Sequence, residues 1–334
     1  MTAVEGSLRQ VHVFPTGGAA YGVTFSHDGS HLAVVGGSWY GLGYANVFEV
    51  ATRESRWSSA GGGDVAFSGC AFDRAGAHLA VSAWLFSHRW SPVYLFRQGE
   101  SLPGWSFREG RETLDQLNMG ARGYATGILI HDGRLIVRRT TGDPALTLSA
   151  FSLPDCVRGG CTPWLTSSRV ARLHDGRFVT GLGQNQGELV ACTPRDPLSF
   201  HASVVTMPHV TAVAVDREGS LLVGHDDGCL SRWYASLDAS EPRPSHQEAL
   251  TAACFLADGK AAVTACRSGF VRVWEGRNCV ASIRLDGSVR SLAAHPAQPL
   301  IAVGTKLDRS GGPSGAVVLL ELSSGALHST ADPP

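Results

Sequence analysis

Three copies of the tripeptide His-Asp-Gly place imidazole and carboxylate groups side by side, as metal-dependent phosphohydrolases do. The copies occupy residues 27–29, 131–133 and 174–176. Each copy lies between two short apolar runs, where Asp and Gly favour a tight turn. Phosphohydrolase His-Asp pairs lie on helices, whereas this chain shows almost no helical pattern. The tripeptides therefore predict a turn that recurs along the chain rather than a metal centre.

Other metal ligands are denser but have no defined pattern. His225, Asp226 and Asp227 are consecutive, and together with Asp216 they could bind a cation. The eight cysteines include no C-x-x-C pair with histidines at zinc spacing, although Cys156 and Cys161 are close enough in sequence to form a disulfide. No P-loop, dinucleotide or G-x-S-x-G fingerprint occurs. We expect no metal, no other cofactor and no catalytic residue.

The segment 245–275 shows the elements that position these turns. Apolar residues alternate over 250–256, continue over 261–266 and alternate again over 270–274, with tight turns between the runs. A further run at 279–285 fits an outer strand. The segment therefore predicts one antiparallel sheet of four short strands.

The same outline repeats along the whole chain. The first turn of successive units carries Gly29, Gly76, Gly133, Gly176, Gly219 and Gly259. A corresponding turn at 295–299 brings the count to seven units, which favours one large all-β domain of 334 residues over two ordinary domains. The segment 109–122 is an insertion with helical character.

The last unit lacks an outer strand of its own. Two segments compete for this place, Gln10–Pro15 and Ala326–Thr330. We favour the N-terminal segment, because its distance to the following strand copies that of 279–285. Such pairing would also protect an exposed sheet edge.

This pattern resembles the divergent end of the WD-repeat β-propeller family, whose repeat begins near Gly-His, contains Asp-Gly turns and ends in Trp-Asp. The family residues are matched in the sixth unit by His246, Asp258, Gly259 and Trp274. Three other family positions differ in this unit. Ser245 stands in place of the Gly of Gly-His, Ser268 in place of the second turn Asp, and Glu275 in place of the final Asp. The resemblance implies a single domain, residues 1–334, folded as a seven-bladed β-propeller of four-stranded antiparallel blades.

The resemblance also implies a hydrogen-bond chain of His, Ser or Thr, Asp and Trp that braces each blade. In the sixth blade these roles fall by position on His246, Thr264, Ser268 and Trp274, so the acidic link is weakened. In the fifth blade His209, Asp227 and Trp233 match the family pattern.

Aromatic residues, with His88 and Arg89, gather in the connections between the second and third strands of the first two units, and two arginines of the third unit are expected nearby. The set is Trp39, Tyr40, Tyr44, Trp84, Phe86, His88, Arg89, Trp90, Arg138 and Arg139. In a propeller these connections open on the face that also carries the links between blades. Such residues dominate binding hot spots, although some of them could pack under their own loops. The sequence predicts a partner-binding face here.

Composition limits the partners. The net charge of −1 gives no overall field to attract nucleic acid or an anionic membrane. Only Lys260 and Lys306 of the 28 basic residues are lysines, which fits a bacterial protein from GC-rich DNA. The first residues lack the pattern of a signal peptide, and we expect a cytoplasmic protein.

The family's usual role implies a non-catalytic scaffold or adaptor that binds a protein or peptide, as a monomeric ring within a larger complex. Two alternatives remain. One is a propeller enzyme or small-ligand binder that uses the central funnel. The other is a sensor subunit of a bacterial defence or signalling complex.

Overall fold

The chain folds into β-strands joined by short turns. The computed structural model describes residues 7–38, 43–60, 65–85, 93–97, 124–131, 134–140, 146–152, 157–162, 170–172, 178–182, 188–193, 199–201, 210–215, 218, 220–233, 243–309 and 312–323. Within these ranges there is no helix, and the prediction of an all-β protein is confirmed. The insertion 109–122 lies outside the described residues.

The N-terminal half of the chain forms three antiparallel sheets in sequence order, after the first strand, β1 (Leu8–Thr16). The first sheet contains β2 (Ala19–Phe25), β3 (His31–Gly37), β4 (Tyr44–Glu49) and β5 (Ser55–Ala60). The second contains β6 (Val65–Phe72), β7 (His78–Leu85) and β8 (Val93–Arg97). The third contains β9 (Tyr124–His131), β10 (Arg134–Thr140), β11 (Leu146–Ser152) and β12 (Val157–Thr162).

The following sheets repeat this order. The fourth contains β13 (Val170–Arg172), β14 (Phe178–Leu182), β15 (Glu188–Thr193) and β16 (Ser199–His201). The fifth contains β17 (Val210–Val215), β18 (Leu221–His225), β19 (Cys229–Trp233) and β20 (Arg243–Pro244). The sixth contains β21 (Leu250–Phe255), β22 (Ala261–Cys266), β23 (Phe270–Glu275) and β24 (Asn278–Arg284).

The seventh sheet joins the two ends of the described chain. It contains β25 (Ser288–Ala294), β26 (Leu300–Arg309) and β27 (Gly312–Leu322), and β1 pairs antiparallel with β27 as its outer strand. The register runs from Leu8 opposite Leu322 to Thr16 opposite Gly315. Of the two candidates for this place, Gln10–Pro15 occupies it, and Ala326–Thr330 lies outside the described residues.

The first strands of the seven sheets pack in a cyclic order. We call these strands β2, β6, β9, β13, β17, β21 and β25 the inner strands. Each contacts the inner strand of the next sheet, and β25 contacts β2. The apolar core lies between neighbouring sheets, so that one buried cluster contains both Val263 of the sixth sheet and Ile301 of the seventh.

A second contact joins the first and seventh sheets. His295, in the turn after β25, lies with its Nε2 3.1 Å from the carbonyl oxygen of Gly29, in the turn after β2. The backbone N–H groups of Ala297 and Gln298 donate to Nδ1 of the same ring at 3.1 and 2.9 Å. Because Nδ1 accepts, the proton of the neutral ring is on Nε2 and is donated to Gly29. Burial lowers the pKa of His295, which keeps the ring neutral.

The turn after the inner strand has one geometry in several sheets. The N–H of Gly29 donates to the carbonyl of Ser26 at 2.9 Å, and Gly259 donates to Leu256 at the same distance. The φ angles of the two glycines are 76° and 72°, a left-handed conformation that a Cβ atom makes costly. The predicted turn glycines at these positions therefore have a conformational reason.

A bulge recurs in the inner strands, and its hydroxyl residue has a defined task. Ser68, Thr211 and Thr251 are the extra residues of their strands. Their hydroxyls donate to the carbonyl oxygens of Ser82, Gly224 and Ala265 at 3.2, 3.2 and 3.3 Å. A bulge interrupts the ladder, and the hydroxyl satisfies a carbonyl that the interruption leaves. Tyr21 and Arg290 occupy the same position in the first and seventh sheets.

The outer strand of the third sheet is hard to place from sequence. The sequence pattern predicts it around Trp164–Ser167, after a loop containing Cys156 and Cys161. In the structure β12 begins at Val157, and Cys161 pairs with Ser149 of β11, whereas Trp164–Ser167 lies outside the described residues. The apolar pattern of 157–162 is interrupted by two glycines, which conceals the strand, whereas pairing with β11 defines it.

We expect that deletion of residues 1–16 lowers the free energy of unfolding by several kcal/mol. The deletion removes β1, including the buried Leu8 and Phe14, and exposes the edge of β27. Phe14 also packs on Phe48 of the first sheet, with ring centroids 4.4 Å apart. Urea denaturation measures the loss. The control is Val13→Ala on the exposed side of β1, which should change stability by less than about 1 kcal/mol. Equal denaturation midpoints for the deletion and the full chain would show that β1 contributes nothing.

Candidate functional site

A hydrogen-bond chain joins three buried side chains of the sixth sheet. Trp274 of β23 donates its indole N–H to Oγ1 of Thr264 in β22 at 2.8 Å. The same oxygen lies 2.8 Å from Nε2 of His246, in the connection that precedes β21. These three residues therefore form the brace expected from their positions. The brace ties the connection that precedes β21 to the two central strands of the sheet, β22 and β23.

The fourth predicted member does not join the brace. The hydroxyl of Ser268 lies 3.1 Å from Sγ of Cys266. Nδ1 of His246 is buried and makes no hydrogen bond. Because the indole only donates, Oγ1 of Thr264 accepts its N–H, and the Thr264 hydroxyl can in turn donate to Nε2 of His246 in the tautomer that carries its proton on Nδ1. By its position Ser268 replaces the aspartate that the family resemblance places in the brace.

The environment of His246 opposes its protonation. Burial, followed by the positive charge of Arg272, lowers its pKa from 6.5 to about 4. Arg272 is held nearby because its guanidinium donates to the carbonyl oxygen of Ser245. A carboxylate at position 268 would act in the opposite direction, and its absence leaves the ring neutral near pH 7.

The fifth sheet contains a hydrogen-bond chain of the same kind, Trp to hydroxyl to His, at other positions. The indole N–H of Trp233 donates to Oγ of Ser231 at 3.1 Å, and this oxygen lies 2.9 Å from Nε2 of His225. All three are buried. Of the residues predicted for this brace, His209, Asp227 and Trp233, the structure shows Trp233 bonded to Ser231 instead. His209 lies outside the described residues, and Asp227 instead accepts the backbone N–H of Cys229 at 2.8 Å within its turn.

The contacts of the fifth sheet also give a structural role to the residues that were considered as cation ligands. His225 belongs to the brace of the fifth sheet, whereas Asp226 and Asp227 are exposed turn residues. Among the residues that the structure describes, no group of three or more His, Cys, Asp or Glu side chains could hold a metal ion. Asp216 is outside that part of the chain.

The predicted partner-binding residues fall into three classes. Tyr44 is buried, with its hydroxyl donating to the carbonyl of Ala19 at 3.2 Å, so it packs in the core instead of lining a loop surface. Trp84 lies within β7, opposite Ala66, and Arg138 and Arg139 lie within β10. The remaining members, outside the described residues, are Trp39, Tyr40, Phe86, His88, Arg89 and Trp90.

The end of the sheets at which second strands lead into third strands is seen at the junction of the sixth and seventh sheets. The turn between β22 and β23 lies against the link from β24 to β25, where Leu285 donates its N–H to the carbonyl of Gly269 at 3.0 Å. In the first sheet, Gly43 lies similarly against Val65 at the start of β6. We call this end of the sheets the loop face. An open cleft of about 720 Å³ lies on it between the sixth and seventh sheets.

Comparison with known proteins identifies one segment. Residues 242–275 match the family model described as WD domain, G-beta repeat. The match covers the braced sixth sheet from its preceding connection to the end of β23. No curated protein matches the chain. Among the described residues, there is no helix of the length and apolar character needed to cross a membrane.

We expect Trp274→Phe to lower the free energy of unfolding by about 1 to 3 kcal/mol. The phenyl ring retains most of the burial but removes the N–H that Thr264 accepts, which leaves a buried hydroxyl with one partner fewer. Chemical denaturation of the two proteins measures the difference. The control is Phe270→Leu on the same strand, which keeps the brace complete. Identical midpoints for Trp274→Phe and the unmodified chain would show that the indole hydrogen bond adds no stability.

We expect Ser268→Asp to raise stability at pH 7 by about 1 kcal/mol and to reduce its dependence on pH. The pKa of His246 is about 4 in the folded chain, and an unfolded histidine titrates near 6.5. The unfolded state therefore binds the extra proton first, and this contribution to stability is lost as pH falls from about 6.5 to 4. The largest slope is about 1.4 kcal/mol per pH unit.

An aspartate that accepts from Nδ1 raises the pKa of His246 and flattens this slope. Unfolding midpoints at pH 7 and pH 5 test the effect, with Ser268→Asn as an uncharged control of similar size. If the Ser268→Asp variant lost as much stability between pH 7 and pH 5 as the unmodified chain, or more, Ser268 would not mark the place of a missing acidic partner of His246.

Proposed function

Because the chain carries a WD repeat, we propose that its sheets are the seven blades of one propeller, which acts as a non-catalytic scaffold for a protein or peptide partner. The cyclic contacts of the inner strands carry this proposal, together with the pairing of β1 and β27. WD repeats generally mediate contacts between proteins and are typically not enzymes. The cytoplasmic location and the monomeric state remain predictions.

The physical basis of this role is rigidity. Neighbouring sheets such as the sixth and seventh pack through buried apolar faces, and braces such as His246–Thr264–Trp274 fix the connections to the strands. A closed ring of such sheets presents many loops at constant spacing. It therefore binds a partner with little loss of its own conformational entropy.

The loop face is the proposed partner surface. It carries the connections that contain Trp39, Tyr40 and the segment 86–92. Rings of this size bury large areas while Arg89 adds a planar, forked donor group. Tyr44 is excluded from the surface because it is part of the core.

We expect combined replacement of Arg89 and Trp90 with Ala to weaken capture of the native partner by about 2 kcal/mol or more, the size of a hot-spot loss. The chain with an affinity tag is used to recover partners from the native host, and the recovered proteins are quantified by mass spectrometry. The matched control replaces His131, the last residue of β9 and thus at the end of the sheets opposite the loop face, together with His174, which follows β13 in the sequence. Loss of partners in the control, with none in the Arg89 and Trp90 variant, would show that the partner binds the other face.

A further inference from the structure

The cleft on the loop face is lined by an excess of cationic side chains. Its walls come from the turn after β22, from the end of β24 and its link to β25, and from β25 and β26. Four of the lining residues are cationic, namely Arg267, Arg284, Arg290 and Lys306. Asp286 is the one carboxylate among them. The local charge is therefore strongly positive in a chain whose net charge is −1.

The frame of the cleft is rigid, because backbone segments approach closely on both sides. Gly269 has a φ angle of 90°, and a Cβ atom there would clash with the carbonyl oxygen of Leu285. Gly287 has a φ angle of 83°, and a Cβ atom there would clash with the carbonyl oxygen of Lys306. The link 285–288 is thus held between the sixth and seventh sheets, and the cationic residues extend from fixed positions.

Two of the arginines have specific placements. The guanidinium carbon of Arg284 lies 5.5 Å from the centroid of the Phe270 ring, a cation–π contact that limits where its N–H groups can point. Arg290 is the bulge residue of β25. Equivalent bulges carry Ser68, Thr211 and Thr251, whose hydroxyls bond to the neighbouring strand. The seventh sheet therefore places a long cation where three other sheets use a small hydroxyl.

An unsatisfied donor lies in the same cleft. Ser288 lines it, and its Oγ is buried without a hydrogen-bond partner. Ser288 pairs with Lys306 across the β25–β26 ladder, so the hydroxyl and the ammonium group belong to neighbouring positions. A buried hydroxyl that makes no hydrogen bond is costly, and an oxygen of a ligand in the cleft would satisfy it.

We propose that this cleft binds a phosphate monoester. A dianion with three terminal oxygens matches several cations and one hydroxyl, and guanidinium groups bind such oxygens through paired hydrogen bonds. The single carboxylate of Asp286 leaves the site net positive. The four cations line a single cleft, which suits a discrete group more than the long backbone of a nucleic acid. The proposal holds whether or not the aromatic loops bind a partner.

The test is titration calorimetry of the full chain at low ionic strength. The probes are a glycine-rich peptide with one phosphoserine, the same peptide without phosphate, and glycerol 3-phosphate. Phosphorylated probes should bind and the unmodified peptide should not. Tighter binding of the phosphopeptide than of glycerol 3-phosphate would identify a phosphorylated chain as the source. Equal binding would identify the free monoester.

Arg284→Ala should weaken binding of the phosphorylated probes by at least about tenfold, the typical loss for a charged hydrogen-bonded pair. Arg284 is exposed, so this variant keeps the fold, which its unfolding midpoint verifies. The matched control is Arg277→Ala, which removes the same charge from the exposed turn between β23 and β24. The proposal is wrong if neither phosphorylated probe binds, if Arg284→Ala binds as well as the unmodified chain, or if an unphosphorylated peptide or an oligonucleotide binds more tightly.

Discussion

Pairing of β1 with β27 is the contact on which the arrangement of the other sheets depends. Residues Ser7 and Ser323 hydrogen-bond to each other although 316 positions separate them in sequence. Ordering so long a segment costs entropy, which the edge hydrogen bonds and the burial of Phe14 against Phe48 offset. His295 adds a second tie by donating to Gly29. Through these contacts the seventh sheet packs on the first sheet as well as on the sixth.

The braces show that chemistry is maintained while positions change. In both the fifth and sixth sheets an indole N–H donates to a hydroxyl that contacts an imidazole. The hydroxyl belongs to β22 in one sheet and to β19 in the other. Exchange is possible because directly paired residues of neighbouring strands share one face of a sheet, as Val223 and Ser231 do. A buried Trp thus constrains the kind of partner more strongly than its place in the sequence.

Features that depend on local backbone geometry could be predicted from the sequence, whereas contacts that depend on strand pairing could not. Alternation and turn glycines depend on backbone geometry, so the strands around Gly29 and Gly259 and the outer place of Gln10–Pro15 followed from local pattern. The contact of His225 with the brace of the fifth sheet did not, because it depends on the pairing of β18 with β19, whereas Ser231 lies two residues before Trp233 on the same strand. His225 was considered as a metal ligand for the same reason. Tyr44 was assigned to a surface, since sequence alone does not show that its hydroxyl meets the carbonyl of Ala19.

The recurring bulge gives a physical basis for separating architecture from specific function. Where the bulge holds Ser68, Thr211 or Thr251, the side chain completes the sheet and serves the fold. Arg290 at the same place has a guanidinium group instead of a hydroxyl, and this group lines the cleft. A repeat protein built from equivalent sheets acquires a distinct surface at positions where one copy departs from the structural requirement that the others meet. The cleft lined by Arg284 and Ser288 is such a departure. The bulge in β25 recurs in other inner strands, but Arg290 puts a positive charge at the position where Ser68, Thr211 and Thr251 have a hydroxyl.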